Sequence, residues 1–127
     1  GHVIETGGMK NTRKEMIRHE LYKILKENFK INSIQSEYGM TELLSQSYSL
    51  KNGDFESPPW KRVFIRDKLN PLKINNLSSG GVNIIDLSNI YSCAFLATED
   101  FGRVNKNKFE ILGRLKNSSL RGCSTMI

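Results

Sequence analysis

The feature that most constrains the fold is a change of periodicity near residue 51. Apolar residues recur with helical spacing from Thr12 to Phe29, and Thr12 and Glu15 form a capping-box pattern at the start. Beyond Lys51 this spacing does not return. Apolar runs of strand length replace it, separated by loops rich in Gly and Asn; they are Val63 to Ile65, Val82 to Leu87, Cys93 to Ala97 and Phe109 to Leu112.

The first part of the chain carries a strand on each side of this helix. Val3 to Thr6 is strand-like, and Ile31 to Ser36 is a second, modest strand; a short helical stretch is predicted from Leu43 to Tyr48. The predicted fold class is therefore α/β. Residues 1–50 form a strand-helix-strand portion of a larger layered sheet, and residues 51–127 form a small, mainly antiparallel β subdomain that packs beside it.

Composition excludes several classes of protein. With 127 residues, 38% hydrophobic and 25% charged, the chain is an ordinary globular sequence with one core. No apolar run approaches the roughly 20 residues that a membrane-spanning helix needs, so no span is expected. Two cysteines are too few for a disulfide framework, and the first residues do not resemble a signal peptide. A cytoplasmic location is the default expectation.

The chain is basic, with a formal net charge of +6. Such a charge favours weak attraction to polyanions such as ATP, coenzyme A or nucleic acid, and does not choose among them. Much of the excess lies between Lys10 and Lys30, where acidic and basic residues interleave in a helical pattern. This pattern is typical of a solvated helix face, so no nucleic-acid partner is expected.

Three polar clusters lie at the ends of apolar runs, where rigid scaffolds place functional side chains. The first is Tyr38-Gly39-Met40-Thr41-Glu42. It could place a flat ligand on Tyr38, a phosphate against Thr41 and a hydrated Mg²⁺ beside Glu42. From local chemistry alone, an alternative is that Thr41 caps a helix and Tyr38 belongs to the core.

The second cluster is Thr98-Glu99-Asp100-Phe101-Gly102, and the third runs from Gly113 to Asn117. Asp100, before a glycine turn, offers paired acceptors at the spacing of a ribose diol. Arg114 could contact ribose or phosphate. Taken singly, an acidic hairpin turn and a solvated basic turn are the alternatives.

Together and in this order, Tyr-Gly-Met-Thr-Glu, Thr-Glu-Asp-Phe-Gly and Gly-Arg-Leu resemble three core motifs of the adenylate-forming, or acyl-activating, enzyme superfamily. Within it the chain is most similar to the acyl-protein synthetases of the bacterial bioluminescence fatty-acid reductase system. The stretches that discriminate are Ile4 to Lys10, Ser36 to Gln46 and Arg121 to Cys123. The resemblance extends from Val3 to Ile127.

The resemblance implies ATP-dependent activation of a carboxylic, fatty acid as an acyl-adenylate, followed by transfer of the acyl group to a thiol. It also implies a nucleotide site between the two parts of the chain. The implied contacts are Gly7 and Gly8 lining the adenine pocket, Tyr38 and Gly39 at the adenine, Thr41 at the phosphate, Glu42 at Mg²⁺, and Asp100 with Arg114 at the ribose.

The two cysteines differ in context. Cys93 begins an apolar run and is predicted to be a buried, inert thiol. Cys123 lies four residues from the end, with Arg121 two residues away, a setting that favours the thiolate. The resemblance implies that Cys123 accepts the acyl group and passes it to a reductase or another partner. A tail cysteine without function is the alternative.

The chain also departs from the superfamily pattern. The Ser/Thr/Gly-rich phosphate loop and the carboxyl-terminal domain with its adenylation lysine are absent, and Asn117 stands where an Asp is expected. These departures lead us to expect the carboxyl-terminal third of a larger enzyme, inactive alone and able to self-associate as a homo-oligomer. A ligase of the phenylacetate-CoA type, with coenzyme A as acceptor, and a non-enzymatic nucleotide-binding or interaction module are the alternatives.

Overall fold

The computed structural model describes residues 2–7, 18–51, 53–68, 70, 72–74 and 79–115. These residues form one α-helix, eight strands and a 3₁₀ turn. In chain order they are β1 Ile4–Glu5, α1 Arg18–Phe29, β2 Gln35–Tyr38, β3 Ser47–Ser49, β4 Phe55–Glu56, β5 Lys61–Arg66, β6 Gly80–Asp86, the 3₁₀ turn Leu87–Asn89, β7 Phe95–Asn105 and β8 Lys108–Arg114.

Within the described residues the strands form a single sheet in the order β1-β2-β3-β4-β8-β7-β6-β5. β1 and β2 are parallel, with α1 between them in the chain, as parallel neighbours require a long crossover. All the other pairs are antiparallel. The predicted fold class is confirmed: a strand-helix-strand portion precedes a mainly antiparallel β region.

The apolar core lies on one face of this sheet. Each residue of this core has at least nine-tenths of its surface buried. The core residues are Tyr38, Leu43, Phe55, Ile65, Val82, Ile84 and Phe109. The rings of Tyr38, Phe55 and Phe109 form a cluster with centroids 5.3–5.8 Å apart. This geometry is favourable for aromatic rings, and the cluster joins β2, β4 and β8.

The helix follows its predicted pattern over the residues that the structure describes. α1 ends at Phe29 as expected, and residues 12–17 of the predicted helix lie outside the described part. Tyr22 is its buried residue, and the Tyr22 hydroxyl is hydrogen-bonded to Ser36 Oγ on β2. Among the described residues, no helix has the length and apolar character needed to cross a bilayer.

The helical stretch predicted from Leu43 to Tyr48 is wrong. The chain turns at residues 41–42 and enters β3 at Ser47. In this segment every second residue is buried, which is the pattern of an extended backbone and not of a helix. The buried residues are Leu43, Ser45, Ser47 and Ser49, and the exposed ones are Leu44, Gln46 and Tyr48. Buried serines conceal this alternation, because a hydroxyl residue reads as polar in the sequence.

The glycine turn predicted after Asp100 is also wrong. β7 runs without a break in the chain from Phe95 to Asn105, and the turn comes at residues 106–107. Gly102 instead permits close packing of strands, because a Cβ there would lie 2.5 Å from the carbonyl oxygen of Glu110. Likewise Gly80 and Gly81, which fall in the predicted Gly-containing loop before the apolar run from Val82, are buried in β6.

We predict that Gly102→Ala lowers the free energy of unfolding by about 1–3 kcal/mol, because the methyl group would overlap backbone that cannot easily move. Chemical denaturation measures this change. Gly39→Ala is the control: its methyl would meet the flexible Gln46 side chain at 3.3 Å and should cost less than about 0.5 kcal/mol. Equal midpoints for the two variants would contradict the packing argument.

Candidate nucleotide site

The first motif lies at the carboxyl ends of the parallel strands. Gly7 follows β1 by two residues and is exposed, and Gly39 directly follows β2. Thr41 and Glu42 come next, in the exposed turn between β2 and β3. The carboxyl ends of neighbouring parallel strands meet at one edge of a sheet, which is the usual place for ligands in α/β folds.

Thr41 and Glu42 line a groove of about 540 Å³. The other wall comes from the 3₁₀ turn and the segment that leads to β7. This wall is lined by Ser88, Asn89, Tyr91, Ser92, Cys93 and Leu96, and Leu44 adds to the wall that carries Thr41 and Glu42. The groove therefore offers a hydroxyl and a carboxylate on one wall, and both polar and apolar side chains on the other.

Asn89 fixes the turn that carries Thr41 and Glu42. Its side-chain Nδ2 donates to the carbonyl oxygen of Glu42 at 2.5 Å, and its Oδ1 accepts from the amide of Leu44 at 3.0 Å. The same Nδ2 also donates to the carbonyl oxygen of Cys93 at 3.2 Å. One buried side chain thus connects both walls of the groove.

Asp86 fixes the next residue of the turn. Its carboxylate accepts from the Ser45 amide at 2.9 Å and from Ser45 Oγ at 2.8 Å, and it is fully buried. The carbonyl oxygen of Ser45 accepts from Lys61 Nζ at 2.8 Å, and Ser45 Oγ also accepts from Trp60 Nε1 at 2.9 Å. Burial alone would raise the pKa of Asp86, but hydrogen bonds from Ser45 and Ser88, with the charge of Lys61, lower it below its ordinary value.

A second cluster joins the three motifs. The Tyr38 hydroxyl donates to Asp100 Oδ2 at 2.7 Å, and Arg114 Nε lies 3.8 Å from Asp100 Oδ1. Burial, and then the charge and hydrogen bond of Asp100, raise the pKa of Tyr38 far above its ordinary value, so Tyr38 remains a proton donor. The Tyr38 ring is 92% buried in the aromatic cluster, and stacking of adenine on it stays a prediction.

The position of Asp100 depends on an irregularity between β6 and β7. Gly81 pairs with Phe101 and Asn83 pairs with Ala97, so β7 has two more residues than β6 over this interval. The Arg66 guanidinium fills the gap: Nη1 donates to the Val82 carbonyl at 2.9 Å, and Nη2 donates to the Thr98 carbonyl at 2.5 Å. Thr98 Oγ1 in turn accepts from the Asp100 amide at 3.2 Å.

A second irregularity brings Arg114 to Asp100. Gly102 pairs with Ile111, whereas Phe101 pairs with Gly113, so Leu112 is an extra residue in β8. In a regular ladder Asp100 would lie opposite Gly113. The bulge shifts the register by one residue and sets Arg114 opposite Asp100 on the same face.

The structure thus groups the predicted site residues in two neighbouring sets. Thr41 and Glu42 share the groove, while Tyr38, Asp100 and Arg114 share the hydrogen-bonded cluster. Gly8 and Cys123 lie outside the described residues. The local alternative for Thr41 fails, because the helix that it would cap is absent, whereas Tyr38 does belong to the core.

The prediction that Cys93 is a buried thiol is wrong. Cys93 is exposed, and its Sγ donates to the carbonyl oxygen of Phe95 at 3.2 Å. β7 begins only at Phe95, so Cys93 precedes the strand and stands on the groove wall.

The donor set fits Mg²⁺ only together with a phosphate ligand. Among the described residues, no three His, Cys, Asp or Glu side chains lie close enough to hold a metal ion. Glu42 and the Thr41 hydroxyl are exposed in the groove, and Mg²⁺ often binds through one carboxylate and the oxygens of a nucleotide. Glu42 is therefore the residue that would hold it.

Four residues of this site were not found from the sequence: Lys61, Arg66, Asp86 and Asn89. Each is at least 91% buried. Asp86 and Asn89 lie at the end of the apolar run from Val82. A charged residue at the end of such a run is the one sequence signal that could have indicated a buried polar contact. Nothing local marks Lys61 or Arg66, because both have the composition of an exposed strand.

Three solved structures share this fold. Apo MatB from Rhodopseudomonas palustris aligns with 91% of the chain at a TM-score of 0.59 and 14% identity. McyG A-PCP complexed with phenylalanyl-adenylate aligns with 91% at 0.56 and 19% identity. The luciferase-like enzyme from the nonluminescent Zophobas morio mealworm aligns with 80% at 0.55 and 19% identity.

The likeness concerns one segment of each of these proteins. The chain spans 26%, 25% and 30% of their respective lengths. At these identities the likeness shows a shared fold. No protein-family model matches the chain, and no curated protein sequence does.

Lys61 makes the free energy of unfolding depend on pH. Burial lowers its pKa from 10.5 to about 8, against the opposing charge of Asp86. Between these pH values the unfolded chain binds more protons than the folded one, so this group makes the free energy of unfolding rise with pH. We predict that the difference in this free energy between the parent protein and Lys61→Met grows by about 2–3 kcal/mol from pH 7.5 to 10.5.

Urea denaturation at several pH values measures this difference. Arg62→Met is the control, because an exposed guanidinium does not titrate in this range. A difference for Lys61→Met that stays constant with pH would show that Lys61 keeps its proton in the folded state.

Proposed function

We propose that the chain forms the nucleotide-binding part of an enzyme that activates a carboxylic acid as its acyl-adenylate and transfers the acyl group to a thiol. The acid is proposed to be a fatty acid, as in the acyl-protein synthetases that the motifs resemble. The observation that carries the proposal is the contact of Tyr38 with Asp100, 62 residues further along the chain, and of Asp100 with Arg114.

The solved structures support the nucleotide part of this proposal. One of the three is complexed with phenylalanyl-adenylate, a product of the reaction type that we propose. That protein and MatB each align with nine-tenths of this chain. The order of the three motifs agrees with a fold that is shared with an adenylate-bound protein.

Each site residue has a proposed role. Thr41 contacts a phosphate, and Asp100 accepts hydrogen bonds from the ribose hydroxyls with Arg114 beside it. Gly7, Gly8 and Gly39 let the chain approach the adenine closely, and Tyr38 closes that side of the site. In this structure the Tyr38 hydroxyl occupies Asp100 Oδ2, which retains a second lone pair for a ribose hydroxyl.

The chemistry has two steps. In the first, a carboxylate oxygen of the acid attacks the α-phosphorus of ATP, and the bond to pyrophosphate breaks. Glu42 would hold Mg²⁺, which neutralises phosphate charge as pyrophosphate leaves. In the second, a thiolate attacks the acyl carbon and AMP leaves with the electron pair.

The proposed acceptor of the acyl group is Cys123, which follows Arg121 by two residues in a polar stretch of the sequence. A reductase or another partner would then take the acyl group from it. If coenzyme A is the acceptor instead, the enzyme is a ligase of the phenylacetate-CoA type, and the cysteine test below separates the two.

We predict that Glu42→Gln lowers acid-dependent exchange of pyrophosphate into ATP at least tenfold at saturating ATP, measured in the complete protein that contains this chain. Loss of the carboxylate removes stabilisation that matters most as charge moves in the transition state. Asp100→Asn is the contrast variant: it should mainly weaken ATP binding, since ribose contacts are similar in ground and transition states. Exchange at the parent rate in Glu42→Gln would refute the role of Glu42.

We predict that Cys123→Ser keeps pyrophosphate exchange near the parent rate but fails to retain radiolabelled acyl group as a hydroxylamine-labile thioester. A neutral hydroxyl is a much poorer nucleophile than a thiolate. Cys93→Ser is the matched control, and it should remain folded because Cys93 is exposed.

The two cysteine variants give distinct outcomes. Loss of the thioester in Cys123→Ser alone supports the acyl-protein reaction. Its persistence in Cys123→Ser, with acyl transfer to added coenzyme A, moves the assignment to the coenzyme A ligase. Loss of the thioester only in Cys93→Ser assigns acyl capture to Cys93 in the groove and contradicts the assignment to Cys123.

A further inference from the structure

We propose that Asn89 and Asp86 are positioning residues that hold the turn at residues 41–45, so that Thr41 and Glu42 face the phosphates of the nucleotide. This inference rests on the proposed function, and it assigns to two buried residues outside the three motifs a part in the same site. Neither residue needs to touch the nucleotide.

Thr41 and Glu42 do not fix their own orientation. Both are exposed, and no hydrogen bond or ion pair joins their side chains to another described residue. The turn itself is closed by one backbone hydrogen bond, from the Leu43 amide to the Met40 carbonyl at 3.0 Å. One such bond leaves a surface turn free to change its conformation, so further contacts must set its direction.

Asn89 and Asp86 supply those contacts on three of the five residues of the turn. Asn89 binds the Glu42 carbonyl and the Leu44 amide, and Asp86 binds the Ser45 amide and hydroxyl. An amide or carboxylate that binds two backbone groups at once fixes orientation as well as distance. Asn89 therefore holds the backbone of Glu42 directly, through its carbonyl oxygen. The contacts at Leu44 and Ser45 hold the chain that follows Glu42.

The support behind these contacts is buried and hydrogen-bonded. Asp86 is fully buried at the end of β6, and its backbone amide donates to the Ala94 carbonyl at 2.9 Å. Asn89 is 97% buried and also holds the Cys93 carbonyl on the opposite wall of the groove. A displacement of Asn89 would thus move both walls of the groove together. A contact that only stabilised the fold would not need to join the two walls.

The test compares Asn89→Ala with Ile84→Val in the complete protein. Ile84 is a core residue of the same strand as Asp86, so its truncation lowers stability without removing any of the hydrogen bonds that Asn89 and Asp86 make to the turn. All measurements are made at a temperature at which the parent and both variants are folded by circular dichroism. The probes are adenosine, which lacks phosphates, and ATP with Mg²⁺.

We expect Asn89→Ala to bind adenosine within twofold of the parent and to bind ATP with Mg²⁺ about tenfold more weakly, because residues that orient a contact typically contribute tenfold or more. Pyrophosphate exchange at saturating ATP should also fall about tenfold. Hydrogen exchange at the Leu44 amide should become faster, while β7 and β8 keep their protection. Ile84→Val should change neither binding constant.

Asp86→Asn provides a second, independent variant. It keeps the shape of the side chain but presents an NH₂ group where the carboxylate accepts from Ser45 or Ser88. We expect the same pattern as for Asn89→Ala. The inference is overturned if both variants bind ATP with Mg²⁺ as tightly as the parent, or if adenosine and ATP binding weaken equally.

The outcomes also separate this inference from the proposed function. If Glu42→Gln loses exchange while Asn89→Ala keeps the parent rate, the function stands and the positioning role is wrong. If the parent protein shows no acid-dependent exchange and binds neither probe, both are wrong.

Discussion

A carboxylate that is wholly removed from water must find hydrogen bonds to replace those of water, and Asp86 is such a group. It finds them in the amide and hydroxyl of Ser45 and in the amide of Ser88. Because Ser45 belongs to the turn after β2 and Ser88 to the turn after β6, satisfying one charge ties two distant parts of the chain together. Lys61, directly opposite Asp86 in the β5–β6 ladder, completes the arrangement from the third side by binding the Ser45 carbonyl. An uncompensated charge at this depth would be strongly destabilising, so these contacts must form together as the chain folds.

The two clusters of the site are connected through the same core. Tyr38 contributes its ring to the aromatic cluster and its hydroxyl to Asp100, while Lys61 Nζ lies 5.5 Å from the centroid of that ring. The groove with Thr41 and Glu42 and the cluster with Asp100 and Arg114 are thus joined through buried side chains. Motifs that are far apart in the sequence meet because the sheet places β2, β7 and β8 around one apolar centre.

The sequence predicted the elements whose signal is apolar periodicity. The ending of α1 at Phe29 and the four late strands follow from spacing alone, and α/β organisation follows from their order. The failures have a common physical cause: polar residues that are buried and satisfied by partners far along the chain. Ser45 and Ser47 read as polar positions of a short helix, and Asp86 reads as a solvated position near the end of the apolar run from Val82, because their hydrogen-bond partners are 10 to 41 residues away. The motifs pointed to Thr41, Glu42, Asp100 and Arg114, whose roles stay predictions, but the buried side chains that bind the neighbouring backbone carry no local pattern.

The extra residue in β8 has a consequence for how this site tolerates change. Leu112 stands outside the pairing of β7 with β8, since Gly102 pairs with Ile111 and Phe101 with Gly113. Leu112 itself is half exposed, so its chemical nature matters little and many side chains could stand there. Its removal would leave Phe101 opposite Gly113 and Asp100 opposite Arg114, in a ladder without the bulge. At this one position both substitution and loss of the residue are therefore compatible with the cluster, whereas an insertion or deletion elsewhere in β8 before Arg114 would shift the register and separate Arg114 from Asp100.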